Sequence, residues 1–211
     1  MNVIDLTHRI SETMPVYPGT QGPKIIDATT IEGDGFAEKL ITFYSHTGTH
    51  MDAPGHMIAG AKTLDQFEVD CFVGSATIVD TRACVGGAID LGYLERHWDS
   101  IRGKDFVIFR TGWSARWGQV SYFADFPLLT GEAAEGLAGL GLKGIGVDVI
   151  SVDKVDSRHF PIHNTLFRAG LLIVENLANL ASVDAPVFTF SCLPLNFTAC
   201  DGSPVRAVAI L

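Results

Sequence analysis

Short apolar runs separated by turn signals dominate the chain, and most of the runs are of strand length. Val3 to Ile10 mixes apolar and polar positions as a first short strand. Ser11 to Pro23 holds three prolines and two glycines and predicts a long loop, the kind of segment where function concentrates. Lys24 to Glu32 is rich in β-branched residues, Gly33-Asp34-Gly35 is a turn signal, and Leu40 to Tyr44 alternates as a return strand. Together they predict a hairpin that delivers the chain directly into His46. Further strands are expected at 75–80, 106–109, 144–150, 171–174, 187–190 and 205–211. Leu91, Leu94, Trp98 and Ile101 recur at helical spacing behind Asp90, a residue suited to an N-cap. Thr130 caps a second helix through Leu140, with Glu132 and Glu135 near its positive end. A short helix over 163–168 ends at Gly170. Strands outnumber helices, and βαβ-like units fill the middle of the chain. The expectation is a mixed, strand-rich α/β single domain spanning residues 1–211.

Composition narrows the function classes. Hydrophobic residues make up 47% and charged residues 18%, which is globular rather than disordered. A net charge of −9 with no Lys/Arg run argues against a nucleic-acid partner, since phosphate needs a basic face. No apolar stretch approaches the roughly 18 to 20 residues that cross a bilayer, and residues 1–20 carry Asp5, His8 and Glu12 in a broken pattern unlike a signal peptide. Cys71, Cys84, Cys192 and Cys200 form no C-x-x-C and sit among apolar neighbours. They are expected as reduced, mostly buried thiols in a reducing compartment, so a cytoplasmic location is expected. The P-loop and Gly-x-Ser-x-Gly are absent, which disfavours a P-loop nucleotide site and a serine nucleophile.

The chemistry concentrates in Ser45 to His56, S-H-T-G-T-H-M-D-A-P-G-H. His46, His50 and Asp52 carry the imidazole nitrogens and carboxylate oxygen that divalent transition metals prefer. Three protein ligands leave positions free for water and substrate, the arrangement of a catalytic rather than a structural site. Gly48 and Pro54 argue against a regular helix here, and Gly48 permits a tight loop that converges the ligands. His56 lies close enough to serve as a general acid or base, because imidazole titrates near neutral pH. Glu175 follows four apolar residues, and a buried carboxylate needs a partner or a metal. His163 and His159 are competing candidates that spacing does not separate. Tyr17 stands between two prolines, either lying on the core or held rigidly over a pocket. Tyr44, Trp113, Trp117 and Phe123 add aromatic surface for a planar substrate. An open divalent site of this kind suits hydrolysis of an amide, lactam or lactone.

The stretch H-T-G-T-H-M-D-A-P-G-H resembles the signature of the metal-dependent cyclase family, which includes bacterial kynurenine formamidases and isatin hydrolases. The resemblance extends over nearly the whole chain, through Pro15-Val16-Tyr17-Pro18-Gly19, Arg110-Thr111-Gly112, Gly146-Val147-Asp148, Leu193-Pro194-Leu195 and Asp201-Gly202-Ser203-Pro204-Val205-Arg206-Ala207-Val208. It implies a swivelling β/β/α fold and an oligomer, a homodimer or homotetramer. It also implies one or two divalent ions, zinc or manganese, bound by His46, His50 and Asp52. A second ion would be bridged by Asp52 and held by a histidine and a glutamate twelve residues apart, a separation that His163 and Glu175 have and His159 lacks. His56 is the implied catalytic residue and Tyr17 the implied substrate contact. Formamidases of this kind typically carry tryptophan and then Gly-Asp in the early loop and paired histidines at the later ligand. Here Tyr17-Pro18-Gly19-Thr20 and His163-Asn164 stand instead.

The expected activity is hydrolysis of a C–N amide bond in a small, aromatic molecule, most simply N-formyl-L-kynurenine. A cyclic amide or lactone is the alternative substrate. Two more distant readings are a non-haem iron oxygenase using His50, Asp52 and a distant histidine, and a metal-binding protein without turnover.

Overall fold

Phe106-Val107-Ile108-Phe109 is buried at every position, the mark of a strand covered on both faces. The computed structural model describes residues 1–84 and 87–211. Its strands are β1 (Val3–Asp5), β2 (Lys24–Thr29), β3 (Glu38–Thr42), β4 (His50–Asp52), β5 (Val73–Asp80), β6 (Ala88–Ile89), β7 (Phe106–Arg110), β8 (Leu128–Leu129), β9 (Gly144–Val147), β10 (Leu172–Glu175), β11 (Phe188–Ser191), β12 (Gly202–Pro204) and β13 (Val208–Ile210). The α-helices are α1 (Ile31–Asp34), α2 (Leu91–Glu95), α3 (Trp98–Ile101), α4 (Gly131–Ala138) and α5 (Pro161–Arg168). None of these is long and apolar enough to cross a membrane.

Nine strands form one sheet in the order β1-β13-β11-β5-β7-β9-β10-β4-β12. The central four, β5, β7, β9 and β10, are parallel, and the strands on either side join antiparallel. Side chains alternate between two cores. Val107, Phe109, Ile145 and Ile173 face helices α2 to α5, whereas Phe106, Ile108, Leu172 and Val174 face the opposite side with Leu6, Met51, Phe190 and Ala209. Residues from both edges of the sheet share that second core, so the sheet is curled. The chain beyond β1 closes the curl: Leu6 N donates to Ala207 O at 2.9 Å, and Ala178 N donates to Leu6 O at 2.9 Å.

Several expectations change in detail. The helix expected over 90–101 is broken into α2 and α3, although Asp90 caps it as expected by accepting from Tyr93 N. Thr130 caps α4 by accepting from Ala133 N. The expected hairpin turn at 33–35 is instead the end of a helical turn, closed by Gly35 at φ 81°. The hairpin of β2 and β3 is a separate two-stranded sheet, and β3 ends at Thr42 without running into His46. All of β3 is solvent-exposed, so this hairpin has no core to bind it to the main sheet. The final strand expected over 205–211 is shorter, with β12 lying just before it. All four cysteines are free, but only Cys192 is buried; Cys71, Cys84 and Cys200 are half-buried.

The close approach of β9 and β10 depends on glycine. A Cβ on Gly144 would lie 2.4 Å from the Leu172 backbone oxygen, and backbone cannot swing aside as a side chain does. Gly131, at the start of α4, has nothing within 4 Å of such a Cβ. Gly144→Ala is therefore expected to destabilise the protein by about 1–3 kcal/mol in urea unfolding. Gly131→Ala is expected to be neutral or to stabilise by up to about 1 kcal/mol. Equal midpoints for the two variants would contradict this account of the β9–β10 contact.

Candidate functional site

The motif contains its own strand. β4 pairs antiparallel with β10, with His50 opposite Glu175 and Asp52 opposite Ile173. Met51 points into the second core, so His50 and Asp52 on either side of it point to the helical face, where α5 brings His163. His46 precedes the strand, and Gly48 at φ 65° turns the chain between them. The site is thus held by paired strands rather than hung from the end of the β2–β3 hairpin. Pro54 opens a short 3₁₀ turn that ends at His56.

The side chains converge in two sets that share Asp52. In the first, Asp52 Oδ1 lies 2.6 Å from His46 Nδ1 and 3.2 Å from His50 Nε2. In the second, Glu175 Oε1 lies 3.3 Å from His163 Nε2, and Asp52 joins this pair as a third oxygen donor. Glu175 Oε2 is 3.6 Å from His50 Nε2, which links the two sets. His159 is exposed and takes no part.

The outer nitrogen of each imidazole is tied down. His50 Nδ1 donates to Gly48 O at 2.8 Å; a carbonyl only accepts, so this bond leaves Nε2 to face the carboxylates. His163 Nδ1 donates to Asp153 Oδ2 at 2.7 Å, and His46 Nε2 to Asp201 Oδ2 at 2.9 Å. Such outer partners set ring orientation in metal sites. Asp153 also accepts from the backbone of Ile162 and His163, so one carboxylate caps the start of α5 and aims its histidine. Asn176 donates to Gly48 O at 2.9 Å and accepts from Tyr122 Oη at 2.7 Å, bracing the turn before His50.

A ring nitrogen facing a carboxylate at these distances requires a positive charge between them, as a proton or a metal ion. Burial works against a charged His46, but Asp52 and Asp201 outweigh it and lift the imidazole to about 10. His163 is also lifted to about 10, burial again being outweighed, here by Asp153 and Glu175. His50 shifts upward for the same reason, with Asp52 as the main partner. Burial would raise Asp52, yet His50 and His46 hold it well below the usual carboxylate range. This donor set of imidazole nitrogens and carboxylate oxygens suits a divalent transition metal.

His56 is different. Burial, then the neighbouring charge on His46, lower its pKa, which keeps the ring neutral near pH 7. Its Nδ1 donates to Asp201 Oδ2 at 2.9 Å. The ring packs 3.9 Å from that of His46, centroid to centroid, and borders a cavity of about 430 Å³. Tyr17, Tyr44, Phe160 and Ile150 line the same cavity, and His46, His50, Asp52, His163 and Glu175 lie along its wall. Tyr17 is anchored over it by a 2.8 Å hydrogen bond to Val155 O. Trp113, Trp117 and Phe123, expected near the substrate, pack against the helical core instead, with Trp117 stacked on His8. Phe160 supplies aromatic surface that the sequence did not suggest. It stands at φ 45° before Pro161, a conformation that turns it out of the helix.

No pattern in the sequence assigns a role to Asp153, Asn176 or Asp201. Only Asp201 had a signal, as part of the Asp-Gly-Ser-Pro-Val-Arg run. The glycine there has a local reason, since a Cβ on Gly202 would lie 2.5 Å from the His46 ring.

This geometry stands within a wider likeness. A family model for cyclases matches residues 4–154. The chain is 32% identical over 207 residues to the kynurenine formamidase of Bacillus cytotoxicus, covering 97% of this chain and 95% of that protein. Among solved structures, isatin hydrolase A from Ralstonia solanacearum superposes with a TM-score of 0.86 at 27% identity, covering 99% of this chain and 91% of that one. Isatin hydrolase A from Labrenzia aggregata gives a TM-score of 0.88 at 24% identity, over 99% and 93% of the two chains, a likeness of fold. With the family model spanning most of the chain and the formamidase aligned along nearly all of it, the protein belongs to the cyclase family.

Proposed function

We propose that residues 1–211 form a metal-dependent hydrolase of C–N amide bonds, most simply an arylformamidase that cleaves N-formyl-L-kynurenine to L-kynurenine and formate. One observation carries the reading: an aromatic-lined cavity has imidazoles and carboxylates of ligand geometry along its wall and a neutral histidine beside them. The full-length likeness to a kynurenine formamidase supports the substrate class. The likeness to isatin hydrolase A, together with Tyr17 in the early loop, favours a cyclic amide as the second reading.

His46, His50 and Asp52 would hold one divalent ion, zinc or manganese, and Asp52, His163 and Glu175 a second. A cation there supplies Lewis acidity, polarising the amide carbonyl and lowering the pKa of water to about 7. Tyr17, Tyr44 and Phe160 receive the aromatic part of the substrate and exclude water from it. His56 takes the proton from the attacking water and returns it to the departing amine nitrogen, as its neutral state allows. The protein works in the cytoplasm as a homodimer or homotetramer. The exposed apolar side chains Ile26, Ile31, Phe36, Leu40 and Ile41 on the hairpin arm support self-association, since such patches mark interaction sites.

His56→Ala is expected to lower kcat for formate release from N-formyl-L-kynurenine by about 10²–10⁴-fold while bound metal stays unchanged. Full turnover in that variant would remove His56 from the mechanism. Isatin assayed on the same preparation separates the two substrate readings, and turnover of neither leaves the hydrolase reading without support.

Metal affinity is expected to rise with pH. His46 and His163 stay protonated up to about pH 10 without metal and must lose those protons to become ligands. Each displaced proton contributes about tenfold in affinity per pH unit below that range. Titration calorimetry in buffers of different ionisation enthalpy measures the release; zinc binding without protons released would contradict the ligand assignment.

Light scattering on a sizing column is expected to give the mass of a dimer or tetramer, and Leu40→Asp with Ile41→Asp to shift it towards the monomer. An unchanged mass in the double variant would place the interface elsewhere.

A further inference from the structure

Outside the two proposed ligand sets, one acidic side chain touches the chemistry without belonging to either. Asp201 lies just before β12, which pairs with β4, and Asp201 O accepts from Ala53 N at 2.8 Å. Its backbone is therefore fixed against the strand that carries His50 and Asp52. Its side chain is 38% exposed, so burial does not explain it. All its side-chain hydrogen bonds go to the motif. Oδ2 accepts from both His46 Nε2 and His56 Nδ1, each at 2.9 Å, and Oδ1 accepts from Ser45 Oγ at 3.1 Å.

We infer that Asp201 is a positioning residue that yokes His56 to His46 and fixes the tautomer of His56. A carboxylate oxygen only accepts, so the bond to His56 requires a proton on Nδ1. The remaining nitrogen, Nε2, is then the basic one. Among the described residues it has no protein hydrogen-bond partner, and the ring borders the cavity. Free imidazole favours the opposite tautomer, with the proton on Nε2, which could not accept a proton from water at that atom. Asp201 thus selects the nitrogen available for proton transfer. By holding His46 through the same oxygen, it also sets the distance between the proton-transfer ring and the nearest proposed metal ligand. Gly202 makes the arrangement possible, because any side chain there would strike the His46 ring.

The inference rests on the reading of His56 as the proton-transfer group, so its test needs an arm independent of turnover. Long-range ¹H–¹⁵N spectra of the zinc-loaded protein report the His56 tautomer directly. The wild type is expected to show Nδ1–H, and Asp201→Ala to lose that preference. Asp201→Asn keeps the shape and one accepting oxygen and is expected to retain part of it; this isosteric variant serves if the alanine variant does not fold. At saturating zinc, Asp201→Ala is expected to lower kcat for N-formyl-L-kynurenine or isatin by about 10- to 100-fold, with KM changed less than about twofold. Asp201→Asn is expected to recover part of that loss. An unchanged His56 spectrum in Asp201→Ala, or wild-type kcat, would overturn the assignment. If the wild type turns over neither substrate, the hydrolase reading fails, and the tautomer measurement still decides the role of Asp201.

Discussion

Two carboxylates, Asp52 and Glu175, are carried into the interior on adjacent strands, and their buried charge is the constraint the surrounding structure answers. Burying such groups bare is costly. The protein meets the cost with imidazoles rather than lysines or arginines. His46, His50 and His163 surround the two acids, and each ring is oriented by a separate acceptor: Asp201, Gly48 O and Asp153. An arginine in their place would neutralise the site permanently. Imidazoles can give up their protons, so the positive charge is exchangeable.

The fold supplies the rigidity this requires. β10 is the last of four parallel strands, and β4 adds antiparallel to it, so imidazoles and carboxylates from distant parts of the chain stand side by side. Two cores, one on each face, leave the central strands no freedom to slide. Gly144 and Gly146 let β9 sit close against its neighbours. By contrast, Tyr17 and Phe160 line the cavity from loop segments, where side chains can differ without disturbing the frame.

Much of this was legible in the sequence because it is encoded locally. Strand runs such as Phe106 to Phe109 and Leu171 to Val174, the caps Asp90 and Thr130, and the ligand types in the motif depend on near neighbours. The structure brings His46, His50, Asp52, His163, Glu175, His56 and Tyr17 to one cavity. Other features depend on contacts that one sequence does not reveal. The hairpin was expected to feed the motif because the two are consecutive, yet β4 takes its position from β10 and β12. Trp113 and Trp117 looked like substrate surface because aromatic rings serve cores and pockets equally well. Asp153 carries no local pattern and Asp201 only the run it belongs to; both matter through the histidines they meet in space.

The pairing of β4 with β12 has a consequence in time. His46 and Asp201 are 155 residues apart in the chain, and contacts of such separation form late because closing a long loop costs entropy before it is rewarded. A nascent chain that has emerged as far as α5 already holds His46, His50, Asp52, His56 and His163. It lacks Glu175, Asp201 and both strands that lie along β4, namely β10 and β12. The motif is therefore synthesised well before the two strands that set its position, and the cavity wall is complete only when the last part of the chain is in place.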